Sequence, residues 1–445
     1  MIKYYRAFIT FLLIAIAFGA SAQSAQTIST SSSPYSRYGL GDIDPALLPQ
    51  NIAMGGIGTA INRISGYNNI NPLNPASYGA INYTTIDVGI YSNISSFSQY
   101  GQASSTNANF RLSHVAFAIP VSRHSALSFG LLPYSEMGYN NLQTRPNLGT
   151  KSSVDTSAVS YLANGNGGLS KAYIGYGLGI GKHLLIGFNA SYIFGNLQQF
   201  SSTEYPIFGT LDTRTEDDNS VGGLNYDYGA QYSFDFGEGK QKHLVLGYSA
   251  SASSSVNESY THIVSQYSYS NGVENVATDT LVNLQKVPGK VQLPQINHFG
   301  ISYQYDQHFL IGADYTMGHW SGLSIAGVNQ GFQDSKTYNI GGQFTPNANS
   351  LHNYFARTDY RLGFVYDEGY LSLYNTTIST KAVTFGFGLP LAPNLSTFYK
   401  INFSAEVGQR GTLGTTTNPL VKENFVNLHL SFTLNDKWFQ RFKFE

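Results

Sequence analysis

The side chains of this 445-residue chain that could do chemistry are few and scattered. A helical metal site needs two histidines four positions apart, and none of the ten histidines is so placed. His114 and His429 are the pair expected to point inward near the same seam, whereas His183, His243 and His308 each open a strand after a short turn. Serine-based catalysis needs serine, histidine and acid grouped on one wall, and no G-x-S-x-G or comparable motif is present. No enzyme activity, metal or cofactor is therefore expected. Glu216-Asp217-Asp218 reads either as a weak calcium site or as the solvated tip of a long loop. Arg361 lies between the apolar Tyr360 and Leu362, so on a strand it would point to the opposite face. Its guanidinium could hold a carboxylate, and the acids considered as its partners within the chain are Glu406, Asp314 and Asp87.

These placements depend on strands. Leu184, Ile186, Phe188, Ala190, Tyr192 and Phe194 occupy every second position, with Leu185, Gly187, Asn189, Ser191 and Ile193 between them. A spacing of two puts the sets on opposite faces of a sheet. The pattern recurs through most of the chain, too often for one soluble domain to bury every apolar face. A closed barrel in a bilayer accommodates it, with the apolar face toward lipid and the polar face inside.

Composition agrees. Aromatic residues make up 14% of the chain and charged residues only 11%, well below the ~25% of a soluble domain. There are 33 tyrosines, 46 glycines and no cysteine. Mean hydropathy is slightly negative, so low charge is not the mark of membrane helices. The net charge of −1 gives no basis for nucleic-acid binding. Lys3 and Arg6, the apolar run Ala7–Phe18 and the small residues Ala20-Ser21-Ala22 read as a cleaved secretion signal, residues 1–22. No cysteine follows it to carry a lipid, and no later stretch would form a membrane helix, so spanning must be by barrel.

Residues 23–33 are rich in serine, threonine and glutamine. Residues 34–83 are dense in glycine and proline and lack alternation, which predicts a compact, turn-rich plug within the 23–83 extension. Fourteen strands are read from Thr84 to Leu434, among them Ala126–Met137, Ser170–Ile180, Leu184–Phe194 and Asn225–Phe236. Short connections alternate with long ones, at 96–109, 138–169, 195–224, 253–295, 318–336, 367–381 and 409–424. This sorting matches short periplasmic turns and long external loops, with both chain ends periplasmic. Tyr226, Tyr228, Tyr232, Phe234 and Phe236 are expected to face lipid, and Asp227, Gly229, Gln231, Ser233 and Asp235 the lumen. The inward glycines Gly175, Gly177 and Gly179 imply that something packs close to that wall. Pro133, in Leu131-Leu132-Pro133-Tyr134-Ser135, either breaks the ladder or ends its strand before the loop 138–169.

The segment Asn51-Ile52-Ala53-Met54-Gly55-Gly56 followed by Asn74-Pro75-Ala76-Ser77 resembles the N-terminal hatch of the FadL-type long-chain fatty-acid transporters. That family places a short plug with an Asn-Pro-Ala motif before a fourteen-stranded barrel. Ser33-Pro34-Tyr35-Ser36-Arg37-Tyr38-Gly39 and Asn435-Asp436-Lys437-Trp438-Phe439 look like a Bacteroidetes-type branch of the group. The eleven-residue tail, 435–445, departs from the terminal aromatic that closes many such barrels, so either Phe444 takes that role or the assembly signal is internal. The resemblance implies an outer-membrane channel for hydrophobic small molecules, with entry from outside and sideways exit through a gap beside a kinked strand. Pro133 is then the candidate for that break. A fatty-acid carboxylate would favour a cation, which makes Arg361, Arg37 and Arg63 ligand candidates, with Glu406 as a lumenal partner. Asn74, Pro75 and Ala76 either meet ligand or seat the plug as a turn. The group also includes a shuttle of a secretion system, so a non-transporting interaction protein, with partners in an export system, is the alternative.

Overall fold

The computed structural model describes residues 33–63, 68–146, 157–205, 209–237, 239, 241–270, 273–274, 277–350, 352–391 and 398–436. The signal segment 1–22 and the end of the tail lie outside them, as does the chain start whose side of the membrane the sequence predicts. All described residues belong to one compact unit, Ser31–Glu445.

The strands are β1 (Thr84–Gln99), β2 (Ser105–Ser122), β3 (Ser125–Pro146), β4 (Ala158–Ile180), β5 (Leu184–Glu204), β6 (Asp212–Phe236), β7 (Lys242–Ser251), β8 (Ser255–Tyr267), β9 (Asp279–Gln292), β10 (Ile296–Tyr305), β11 (Phe309–Gly318), β12 (Ser335–Phe344), β13 (Asp359–Asp367), β14 (Thr380–Pro390), β15 (Phe398–Arg410) and β16 (Val421–Asp436). β1–β7 and β10–β16 form a closed antiparallel barrel of 14 strands. Closure is made by β1 against β16, paired from Thr84↔Asp436 to Gln99↔Val421. β8 and β9 form a hairpin that prolongs β7 and β10 and pairs with the first half of β6.

Every predicted strand is present, but several run on where loops are expected. β3, β4, β5 and β6 are 22, 23, 21 and 25 residues long. A tilted membrane strand needs only about 9–11 residues. About half of each therefore projects past the barrel at the end carrying the long connections. Glu216-Asp217-Asp218 is strand in that projection rather than a loop tip, because backbone pairing with β5 and β8 continues through it. Asp217 accepts from Tyr260 Oη at 2.8 Å and lies 2.6 Å from His262 Nδ1. Among the described residues no group of three or more potential ligands could hold a metal ion.

The faces follow the alternation. Tyr226, Tyr228, Tyr232, Phe234 and Phe236 are exposed, while Asp227 and Gln231 are buried on the inner face. Outward rings meet one another in belts. Phe236, Tyr303 and Phe309 neighbour one another near the short turns. Tyr248, Phe299, Tyr315 and Tyr338 form a chain nearer the long connections. Amphipathic rings at both interfaces are what a lipid-facing barrel needs.

The apolar core lies inside the wall. Near the short turns, Leu48, Ile70, Tyr78 and Ile81 of the N-terminal segment pack against Ala116, Ala118, Ala126, Leu132 and Tyr173. Toward the other end, the inner faces of the long strands (Met137, Leu169, Ile193, Leu197, Val221) close over Leu40, Trp320 and Leu323.

Candidate functional site at the wall gap

Residues 33–63 and 68–83 lie against inward-facing residues of the wall. A segment of such glycine and proline density cannot build its own ladder, so its polar backbone is satisfied from the wall. Gly58 N and Thr59 N each donate to Asp314 Oδ2 at 2.8 Å. Gly55 N donates to Thr384 Oγ1 at 2.7 Å, and Asn339 Nδ2 donates to Gly55 O. Gly55 has φ +70°, and a Cβ there would sit 2.6 Å from Ile340 O, so glycine is required. The segment opens near the long connections, where Ser33 N donates to Gly138 O at 3.2 Å and Ser33 Oγ to Glu423 Oε2 at 2.8 Å.

Asn74, Pro75 and Ala76 form a turn packed against the wall. Asn74 caps the short 3-10 helix Pro75–Ala80, its Oδ1 accepting from Ala76 N at 3.1 Å, while its Nδ2 donates to Thr59 O at 2.7 Å. Wall glycines make room for the turn. A Cβ on Gly177 would lie 2.7 Å from Pro75 O, one on Gly187 would collide with the Pro75 carbonyl, and one on Gly229 with Asn74 Oδ1. Of the three glycines predicted to mark a close approach, Gly177 meets Pro75 and Tyr78 and Gly175 meets Tyr78 and Asn189, whereas Gly179 has the wall residues Leu185 and His124 nearest.

One seam of the wall is incomplete. β2 and β3 pair from Ser122↔Ser125 only as far as Val115↔Leu131. Beyond that point β2 continues on β1, through Phe97↔Ser105, and β3 continues on β4, through Pro146↔Ala158. The two strands are no longer paired with each other. Both carry an irregularity at the parting, at Ser113 on β2 and at Tyr134 on β3. Pro133 therefore does not end its strand. It sits two residues past the last pair, where a residue without an N–H costs the ladder nothing.

The inner segment fills the freed edge. Asp42 and Ile43 pair antiparallel with Glu136 and Ser135, and Asp44 N donates to Tyr134 O at 3.0 Å. Side chains span the gap. Arg111 NH2 on β2 lies 2.8 Å from Asp44 Oδ1, and its Nε lies 3.1 Å from Glu136 Oε2 on β3. Asn109 Nδ2 donates to Glu136 Oε1 at 2.5 Å. Behind the gap lies a cavity of about 490 Å³ that Asp44, Arg111, Leu132, Pro133 and Glu136 line. That size falls within the ~300–1,000 Å³ of small-molecule sites.

The remaining predicted residues separate from this site. Arg361 does point inward and is only 4% exposed, but none of the three acids considered pairs with it. Its NH2 meets Asp359 Oδ2 at 3.0 Å, its Nε donates to Gln343 Oε1 and its NH1 to Asn402 Oδ1. Lys400 Nζ joins the same Asp359 oxygen at 2.6 Å. Asp359 is two residues away on the same strand face, which makes it the nearest acid available. Asp314 is instead taken by the inner segment, and Asp87 by His114 Nε2 at 2.7 Å. Glu406 does line the cavity, accepting from Asn427 Nδ2 at 3.0 Å. Arg37 and Arg63 are exposed, and neither lines the cavity. His429 lies against Tyr91, ring centroids 4.7 Å apart, and His243 sits between Asp235 and Asp306.

Arg111, Asp44 and Glu136 are the residues that sequence reasoning missed. The signal was present for Arg111: it lies between outward Phe110 and Leu112, which are 68% and 52% exposed.

Several solved structures share the architecture. The P. putida toluene transporter TodX superposes with a TM-score of 0.56 at 13% identity, covering 91% of this chain and 99% of its own. The monoaromatic hydrocarbon channel CymD gives 0.53 at 13% identity, covering 91% and 100%. A Pseudomonas aeruginosa FadL homologue gives 0.54 at 10%, covering 89% and 100%. At these identities the likeness is one of fold. No curated protein matches the chain. A family model described as BamG matches residues 1–445, from the first residue to the last, and the chain therefore belongs to the BamG family.

Proposed function

We propose that this protein is a non-enzymatic outer-membrane channel in which a hydrophobic small molecule passes from the external side into the cavity and leaves sideways through the gap between β2 and β3. The observation that carries this reading is the end of main-chain pairing at Val115↔Leu131 with the cavity directly behind it. Straight passage is opposed by the apolar packing of Leu48, Ile70, Tyr78 and Ile81 near the short turns. The gap is closed by one short strand pairing and a few polar side chains, which cost far less to part than a packed core. The printed descriptions of TodX and CymD, a toluene transporter and a hydrocarbon channel, support the same direction. On this reading residues 1–22 are a cleaved export signal, 23–83 carry the plug, and 435–445 form a periplasmic tail.

The chain has no cysteine, so a disulfide between Ile43→Cys and Ser135→Cys is unambiguous. These residues are a register pair, and such pairs have the Cα separation a disulfide needs. Cells carrying the oxidised variant should lose uptake of a hydrophobic compound excluded by the outer membrane and regain it on reduction. Equal uptake in both states would refute passage through the gap.

A second reading is favoured by the projecting sheet of β3–β6 and the β8–β9 hairpin, which exceed what a membrane span requires. On that reading the projection binds another protein, and a stoichiometric partner should co-purify and be lost when 255–292 is deleted.

A further inference from the structure

Eight carboxylates line the cavity against three side chains of permanent positive charge. The three cations are already committed. Arg111 serves Asp44 and Glu136, Lys171 Nζ holds Asp227 at 2.7 Å, and Arg410 NH1 holds Asp42 at 2.7 Å. Glu423 lies opposite Arg410 in register and is bonded by the hydroxyls of Ser33 and Ser95. Asp314, Asp367 and Glu406 have no cation partner among the described residues.

Their bonding leaves capacity toward the space. Asp314 is 94% buried, since its exposure is 6%. Its Oδ2 takes two backbone N–H groups, but its Oδ1 has no partner among the described residues. Among the described residues Asp367 takes only Thr337 Oγ1 and Gly369 N. Glu406 Oε2 takes Asn427 Nδ2, and that amide is oriented by Tyr91 Oη and Asn93 Nδ2, which donate to its oxygen. A carboxylate in such surroundings either takes a proton or gains a cation. Trp320 and Tyr370, stacked with centroids 4.4 Å apart, also line the cavity. Aromatic faces beside acids suit an ammonium group. Leu47, Ile52, Leu132 and Phe425 provide the apolar part of the lining.

Resting on the passage reading above, we propose that the cavity selects an amphiphile with a cationic, ammonium-type head over one with a carboxylate, with Glu406 and Asp367 as counter-charges. A fatty-acid head would meet three acids without a cation partner, while the lysine and arginines of the lining, Lys171, Arg111 and Arg410, are each already held by an acid.

The test uses the full chain in zwitterionic nanodiscs with Trp438→Phe, so that emission reports Trp320. The probes are 12-bromododecyltrimethylammonium, 12-bromododecanol and 12-bromododecanoate, which share a chain length and quench by heavy-atom contact. Binding of the ammonium probe should be at least about tenfold tighter than that of the carboxylate, a difference of ~1.4 kcal/mol. Glu406→Gln or Asp367→Asn should narrow the ratio. Alcohol and carboxylate binding as tightly as the ammonium would overturn the charge selection and leave passage standing. So would a ratio untouched in both variants. No quenching by any probe would overturn the passage reading and this inference with it.

Discussion

Arg111 and Asp44 face each other at 2.8 Å across the place where β2 and β3 stop pairing. One is on the wall and the other on the inner segment, so the ion pair ties a loose piece of chain to the edge it covers. Glu136, on the other side of the gap, completes the bridge through Arg111 Nε. Arg111 also lies 4.6 Å over the Tyr91 ring, which fixes its guanidinium. These groups are about a quarter exposed or less, so the pair is worth less than a fully buried one.

Removing that tie should loosen the segment without unfolding the wall. In Arg111→Ala the two carboxylates lose their shared cation, at a cost of ~1–2 kcal/mol after allowance for exposure. Amide hydrogen exchange should quicken at Asp42–Asp44 by about tenfold or more and stay unchanged in β10–β14. Unchanged exchange at Ile43 and Asp44 would show that the bridge holds nothing.

Pro75 and Gly187 make a different kind of contact, backbone against backbone. A Cβ at Gly187 has no flexible neighbour to push aside, because what it meets is the Pro75 carbonyl. Gly187→Val should therefore displace the Asn-Pro-Ala turn and cost at least ~1–3 kcal/mol. The measurement is the temperature at which the folded, fast-migrating species is lost on gels, which should fall. Gly181→Val, at a turn where nothing lies within 4 Å but φ is +66°, separates crowding from backbone strain. Only Gly187→Val should also expose the 74–80 segment to protease.

What the sequence makes legible follows from which physics leaves a periodic trace. Lipid on one side and polar lumen on the other write a period of two, and each wall strand can be read from it. Outside the membrane that contrast fades. Ser201-Ser202-Thr203 continues β5 with backbone pairing to β6 but no apolar face, so its sequence reads as a loop. The inner segment has no period at all. Its position is set by wall glycines, which imply close approach but not by what. The gap is legible only through Pro133, because whether two strands pair is a property of both. Arg361 is legible in direction but not in partner. Its acid lies not across the barrel but two positions away, where side chains of one strand already share a face.

That last case carries its own prediction. Asp359 is 1% exposed and holds Lys400 at 2.6 Å, Arg361 at 3.0 Å and the Thr345 hydroxyl at 2.7 Å. One carboxylate thus compensates two buried cations, and the cluster joins β13 to β15 across β14. Asp359→Asn would remove the charge that both cations contact, an imbalance of the kind that costs ~3–5 kcal/mol. Arg361→Gln removes one of the two cations and leaves the Asp359–Lys400 pair intact, so its cost should be clearly smaller. Thermal unfolding of the two variants should therefore rank Asp359→Asn well below Arg361→Gln. Because Arg361 does not line the cavity, Arg361→Gln should leave quenching of Trp320 by 12-bromododecanol unchanged. A reversed stability order would mean that the guanidinium, through Gln343 and Asn402, rather than the carboxylate, organises the cluster.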